Sequence, residues 1–259
     1  MRSLFADTRF DLTDRVALVT GAGTGIGRAT AELFARAGAV VGLHFNTSRP
    51  GAESLAETIR QFGGTAYLLP GDLTHEDEAN RVVDRLVEKT GRLDVVFNNA
   101  GAPLARTSIE NCPTELWRQL FDVNIHSAFY VTRRAIPHLR KHHCGSVINN
   151  LSLSVQTGGS GGAGPYAAAK GALHVFTRTL ARELAPDVRA NCIMPGVVET
   201  PHHEVFSTPE KMEDYCRQTP LGRNSQAAEI AQAVLYLASD ASSFMTGGLI
   251  DLNGGRLLR

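Results

Sequence analysis

Thr20-Gly-Ala-Gly-Thr-Gly-Ile-Gly27 decides the fold through what flanks it. The apolar run Val16-Ala-Leu-Val19 precedes it, and Ile26, Leu33 and Ala37 follow on one helical face. Glycines between a strand and a helix, in that order, are the context of a nucleotide site. Gly21 permits the tight turn, Gly25 lets a pyrophosphate approach the backbone, and Gly27 lets the helix pack close to the sheet. The helix N-terminus then presents free N–H groups and a positive dipole end to phosphates. A plain glycine turn is the alternative; its place directly after the first strand favours dinucleotide binding.

Working outward, the pattern repeats. Short apolar runs recur at Val40–Leu43, Ala66–Leu69, Val95–Phe97, Val147–Ile148, Val188–Ile193 and Leu249–Ile250. Near-continuous apolar runs suit parallel strands covered on both faces. Amphipathic stretches lie between them, as at Val82, Val83, Leu86 and Val87, and at Leu173, Phe176, Leu180 and Leu184. Strands alternating with helices predict a single-domain α/β protein, a doubly wound Rossmann fold of about seven parallel strands flanked by helices. One domain spans 1–259. The Gly-rich stretch Gly158–Gly164 is too short for a linker, and it follows a strand, where such sheets place their ligands.

Composition narrows the function classes. The chain has 259 residues, with 26 Lys+Arg against 26 Asp+Glu and a hydrophobic fraction of 43%. A pI near 7.1 argues against nucleic acid as a main partner, which usually needs a basic face. No run approaches the ~18 apolar residues of a membrane span. Cys112, Cys144, Cys192 and Cys216 are widely spaced, so reduced thiols are expected. Met1 to Arg15 interleaves charges with its apolar residues and carries no signal-like core, so a cytoplasmic protein is expected.

The glycine spacing is T-G-x-x-x-G-x-G, and several further motifs follow it in order: Asn98-Asn-Ala-Gly101 after the fourth strand, Asn124 in Asp-Val-Asn-Ile, Ser152, Tyr166-x-x-x-Lys170, and Pro195-Gly196 with Thr200. In these motifs, over essentially the whole chain, the sequence resembles the short-chain dehydrogenase/reductase family. The resemblance implies an NAD(P)-dependent oxidoreductase acting on CH–OH groups. It implies a small-molecule substrate and a homotetramer, with the tail Asp251-Leu-Asn-Gly-Gly255 packing at a subunit interface. It also implies a substrate-capping segment at about 197–222.

Tyr166 and Lys170 stand four residues apart and share one helical face. A free Tyr titrates near ~10, too high for efficient proton exchange at neutral pH, and a neighbouring ammonium is expected to lower that value. The resemblance makes Tyr166 the general acid of reduction and the base of oxidation, with Lys170 also gripping the nicotinamide ribose. Ser152 ends the fifth strand, and its hydroxyl can donate to a carbonyl oxygen on which charge develops. Ser154 is its rival. By resemblance Asn124 holds a water that links Lys170 to solvent; the alternative is an amide satisfying a kinked helix.

The end of the second strand reads Leu43-His-Phe-Asn-Thr-Ser-Arg49. An NAD site expects an acid there for the ribose 2′-OH. Phe45 stands in that place, while Asn46, Ser48 and Arg49 offer groups for a 2′-phosphate. NADP(H) is therefore expected, with NAD(H) as the alternative. Thr24 and Ile26 belong to the phosphate turn. By resemblance Asp72 and Leu73 contact the adenine, Asn98 and Gly101 line the adenosine and ribose path, and Pro195, Gly196, Val198 and Thr200 hold the nicotinamide end. His138, His142, His143 and Cys144 read as a basic helix end rather than metal ligands, so no metal is expected. His202 and His203 are candidate substrate contacts.

The expected reaction moves a hydride between NADP(H) and a small polar secondary alcohol or ketone, sugar-derived or a keto acid. A 3-oxoacyl-thioester reductase shares the same centre. A non-catalytic NADP-sensing regulator could dispense with Tyr166 and Lys170, and their joint presence counts against it.

Overall fold

The computed structural model describes residues 10–200 and 207–258. Seven strands form one parallel sheet: β1 (Val16–Val19), β2 (Val40–Phe45), β3 (Ala66–Pro70), β4 (Val95–Asn98), β5 (Gly145–Asn150), β6 (Val188–Pro195) and, after two short strands outside it, β9 (Leu249–Leu252). Their order is β3-β2-β1-β4-β5-β6-β9. The short strands β7 (Val198–Glu199) and β8 (Ser225–Gln226) pair with each other. Chain order reverses between β1 and β4, the topological switch point where such sheets open a crevice at their carboxyl ends.

Side chains alternate along each strand and divide the core in two. Val19, Val41, Leu43, Phe97 and Ile148 pack with Phe34 of α1 (Gly25–Arg36), Ile59 of α2 (Arg49–Gln61) and Val234 of the last helix, Ala227–Ala238. Val16, Leu18, Val96, Val147 and Val188 face the other way. They meet Val82 and Leu86 of α3 (Glu76–Thr90), Val131 and Leu139 on Ser127–Leu139, and Leu180 and Leu184 on Gly164–Leu184. Helices therefore cover both faces, which is why the strands read as unbroken apolar runs.

The predicted helix around Asn124 is one helical stretch with a widened turn. α4 (Thr114–Phe121) passes through a π-helical segment, Asp122–His126, into α5 (Ser127–Leu139). Among the described residues, the further α-helices are the single turn α6 (Ser154–Thr157), α7 (Gly164–Leu184), α8 (Pro209–Arg217) and α9 (Ala227–Ala238), with short 3-10 turns at Arg140–His142 and Asp240–Ser242. Among the described residues no helix is long and apolar enough to cross a membrane.

Candidate active site

The glycine turn is built as its glycines require. Gly21 and Gly25 hold φ of +66° and +53°, a region that costs any other residue energy. A Cβ on Gly27 would lie 2.2 Å from the Gly21 carbonyl oxygen, so this glycine seats α1 against the turn itself. Gly23 does the same for α2, since its Cβ would stand 2.2 Å from Ser48 Oγ.

Two neighbouring strands hold the turn in place. Thr20 Oγ1 accepts from the N–H groups of Asn99 and Ala100 at 2.9 and 3.0 Å, and Asn99 Nδ2 donates to Thr20 O at 3.0 Å. From β2, His44 reaches across with both ring nitrogens. Its Nδ1 accepts from the Gly21 N–H at 3.1 Å, and its Nε2 lies 3.0 Å from Gly71 O. The carbonyl can only accept, so the proton sits on Nε2 and the ring is neutral. Burial holds the His44 pKa down, to about 4. His44 went unread in the sequence, where a histidine inside an apolar strand gives no signal of its partners.

A cleft of about 500 Å³ opens at the switch point. Its wall includes Gly21, Thr24, Gly25, Ile26, Asn46, Ser48, Gly101, Ser152, Tyr166, Pro195, Gly196, Val198 and Thr200, all expected site residues. It also includes Asn99, Asn150 and Thr157. Other expected residues lie outside the wall. Asn98 turns into the core and donates to Thr132 Oγ1 and Asn149 Oδ1, while Asn99 faces the turn. Asp72 closes the turn before α3 by accepting from the Thr74 N–H and hydroxyl, and Leu73 is buried in the core. Arg49 lies over the Phe45 ring and pairs with Glu53 at 3.2 Å. Phe45 is 1% exposed and points into the core. At the end of β2 the cleft wall is made instead by His44, Asn46, Thr47 and Ser48.

Gly101, Asn124 and Lys170 meet behind the cleft wall. A Cβ on Gly101 would fall 2.6 Å from Asn124 Oδ1 and 2.9 Å from Lys170 Nζ. Asn124 Nδ2 donates to Ala102 O at 2.8 Å and to Leu120 O at 2.9 Å, and its Oδ1 accepts from the Ala102 N–H. It therefore satisfies a carbonyl freed by the widened turn and clamps the loop after β4. Lys170, 2% exposed, donates to Asn150 O at 2.8 Å.

Ser152 Oγ accepts from Ser154 twice, from the backbone N–H at 3.2 Å and from Oγ at 2.9 Å. Its own proton is then free for the Tyr166 phenol, with which it hydrogen-bonds. Ser154 orients Ser152 and has spent its own donor there. Lys170 Nζ stands 5.9 Å from the Tyr166 ring centroid. The expectation that its charge lowers the Tyr166 pKa is corrected here. Dense packing pushes the phenol up to about 12 against the lowering bond from Ser152, and burial pushes Lys170 down to about 7. Taking the phenolate out of water raises the phenol more than the Ser152 bond lowers it.

His202 and His203 lie outside the described residues, so the capping segment is seen only in part. At the former candidate metal cluster, His143 pairs with Asp187 at 2.5 Å and Cys144 Sγ lies 3.7 Å from Asp94 Oδ1.

A profile of the Enoyl-(Acyl carrier protein) reductase family matches residues 21–256. The chain is 37% identical to a cyclopentanol dehydrogenase of Comamonas testosteroni over 246 residues, which is 94% of this chain and 97% of that one. It is 38% identical to a 3-oxoacyl-[acyl-carrier-protein] reductase of Thermotoga maritima over 253 residues, 95% of this chain and 99% of the other. Among solved structures, a short-chain glucose/ribitol dehydrogenase from Brucella melitensis superposes with a TM-score of 0.89 at 32% identity, covering 97% of this chain and 100% of that one.

Proposed function

The chain belongs to the short-chain dehydrogenase/reductase family and is an oxidoreductase of alcohol or ketone groups; from that premise we propose that it uses NADP(H) on a compact, polar secondary alcohol or ketone. One observation carries this reading. The hydrogen-bonded Ser152–Tyr166 pair, backed by Lys170, faces the same cleft as the glycine turn.

The residues present suit a dinucleotide. Gly21 and Gly25 leave backbone N–H groups approachable, and Asn150 Oδ1 is buried without a partner beside the cleft, an acceptor open to an incoming hydroxyl. When bound, the nicotinamide supplies or accepts the hydride. Ser152 donates to the substrate oxygen, and Tyr166 delivers the proton in reduction or takes it in oxidation. Lys170 would anchor the ribose, Asn124 would link Lys170 to solvent through a water, and Thr200 would bond the nicotinamide carboxamide or the phosphates.

Selectivity for NADP(H) is supported by the wall around the 2′ position. Asn46 and Ser48 line it, and no Asp or Glu lines the cleft among the described residues. Arg49 is exposed, resting over the Phe45 ring and paired at the surface with Glu53, a pair that solvent exchanges readily. A polar substrate is supported by Asn150, Ser154, Thr157 and Ser160, which line the wall near Ser152 beside Leu151, Leu153 and Ala163. The Thermotoga relative favours a second reading, a 3-oxoacyl-thioester reductase. Exposed Val175 on α7, 63% accessible, supports burial in an oligomer, a homotetramer in this reading.

Fluorescence titration with NADPH and NADH tests the cofactor, and NADPH is expected to bind more tightly. Equal or tighter binding of NADH overturns it. Asn46→Asp moves selectivity towards NADH, because a carboxylate repels a 2′-phosphate and accepts from a free 2′-OH. Rates on a small hydroxylated ketone, a long-chain 3-oxoacyl thioester and a steroid ketone test the substrate. An advantage of ~tenfold for either bulky ketone rejects the polar reading.

A further inference from the structure

Beyond the Ser152–Tyr166 pair, the cleft wall is edged by cations. Arg106 comes from the loop after β4 and Arg256 from the segment after β9, and both line the cleft. Lys211 of α8 joins them: a Cβ on Gly161 would lie 3.6 Å from Arg106 Nη1 and 4.0 Å from Lys211 Nζ. Two cationic heads therefore flank one spot on the Gly-rich loop. Tyr215 lines the same end, with Arg256 5.0 Å and Lys211 5.9 Å from its ring centroid.

These heads are placed, but not neutralised. Arg106 Nη1 donates to the carbonyls of Ser160 and Gly161 at 3.4 and 3.3 Å, and Arg256 Nη2 donates to Gln218 Oε1 at 2.8 Å. Among the described residues, none of the three cations forms a salt bridge with a carboxylate, and no Asp or Glu lines the cleft. Among the described residues, the cleft wall that holds Arg106 and Arg256 thus carries cations and no carboxylate. A cleft of one sign focuses its field on a ligand of the other. Arginine's planar fork suits carboxylate and phosphate oxygens.

We propose that Arg106, Lys211 and Arg256 bind an oxyanion on the far end of the substrate, so that this enzyme prefers ketones and alcohols bearing a carboxylate or phosphate. The inference rests on the oxidoreductase reading for the position of the reacting carbon, and narrows it from polar to anionic. Arg106 and Lys211 stand against Gly161, on the Gly-rich loop that follows Ser152, whereas the expected phosphate site is the separate turn after β1.

The test compares a short keto acid with its methyl ester, and 3-oxobutyryl pantetheine 4′-phosphate with its dephospho form. Binding of each to the enzyme–NADP+ complex, which holds no hydride to give a ketone, is measured by calorimetry, beside kcat/KM with NADPH. The charged member of at least one pair is expected to win by ~10–100-fold, the range of a charge-assisted bond. Added salt is expected to erode that advantage, and Arg106→Gln with Arg256→Gln to collapse it. An acid advantage points to a keto acid, and a phosphate advantage to a pantetheine arm. Equal binding within both pairs overturns the anion site. Selective binding without turnover supports the anion site and counts against the reaction proposed above.

Discussion

Tyr166→Phe keeps the ring and removes the transferable proton. Turnover is expected to fall by ~10²–10⁴-fold while NADPH affinity stays near that of the parent. Steady-state rates and fluorescence titration check it, and a loss under tenfold would be inconsistent with an acid–base role. His44 gives a second test, of stability rather than chemistry. The folded value of about 4 lies below the ordinary 6.5. The unfolded chain therefore takes up a proton first as pH falls, and stability drops between pH 6.5 and 4. The full effect is about 3 kcal/mol. In His44→Gln the difference between urea midpoints at pH 7 and pH 5 should shrink. An unchanged difference would show that other groups set the acid limb. The sequence disclosed Tyr166, Lys170 and Ser152 because their spacing is local. It hid His44 and the Ser154–Ser152 bonds, because a partner 27 residues away or a rotamer leaves no periodic trace.

At the scale of elements, the widened turn at Asp122–His126 joins the helix to the cleft. Asn124 spends its amide on Leu120 and on both backbone groups of Ala102, so Asn124→Ala strands the buried Leu120 carbonyl and two half-buried groups of Ala102. A loss of ~2–3 kcal/mol in chemical denaturation is expected, by the cost of unpaired buried groups. Activity should fall too, because the loop after β4 carries Gly101 against Lys170. A variant as stable as its parent would argue that water replaces the amide. Strands and helices were legible from period alone, since each is apolar on one face or both. The π segment was not, because adding one residue to a turn alters hydrogen bonding and leaves the apolar stripe almost unchanged. The end of β2 shows the same limit: the apolar run does not disclose that Phe45 is buried while His44 and Asn46 line the cleft.

The whole molecule carries a further expectation. Val175 on α7 and Phe244 near β9 expose apolar surface, 63% and 106% accessible, on a chain of 27.9 kDa. Light scattering should report a mass four times that of the chain, and Val175→Glu should shift it downward. A single-chain mass at micromolar concentration would refute the tetramer. The doubly wound architecture was readable because seven apolar runs alternate with amphipathic ones. Which face of the finished body meets a neighbour was not, since exposure exists only once the sheet is assembled.

The sheet order also governs how the chain is made. A ribosome delivers β1, β2 and β3 first, and these lie side by side with β1 at one margin. Until residues 95–98 emerge, β1 has no partner on that side, and its main-chain groups form an open apolar edge. The nascent N-terminal third can thus fold its own helices and three strands, yet it displays a surface that invites pairing with another chain. Synthesis that stalls between β3 and β4 should leave an aggregation-prone fragment, whereas a pause after β4 leaves that central edge already sealed.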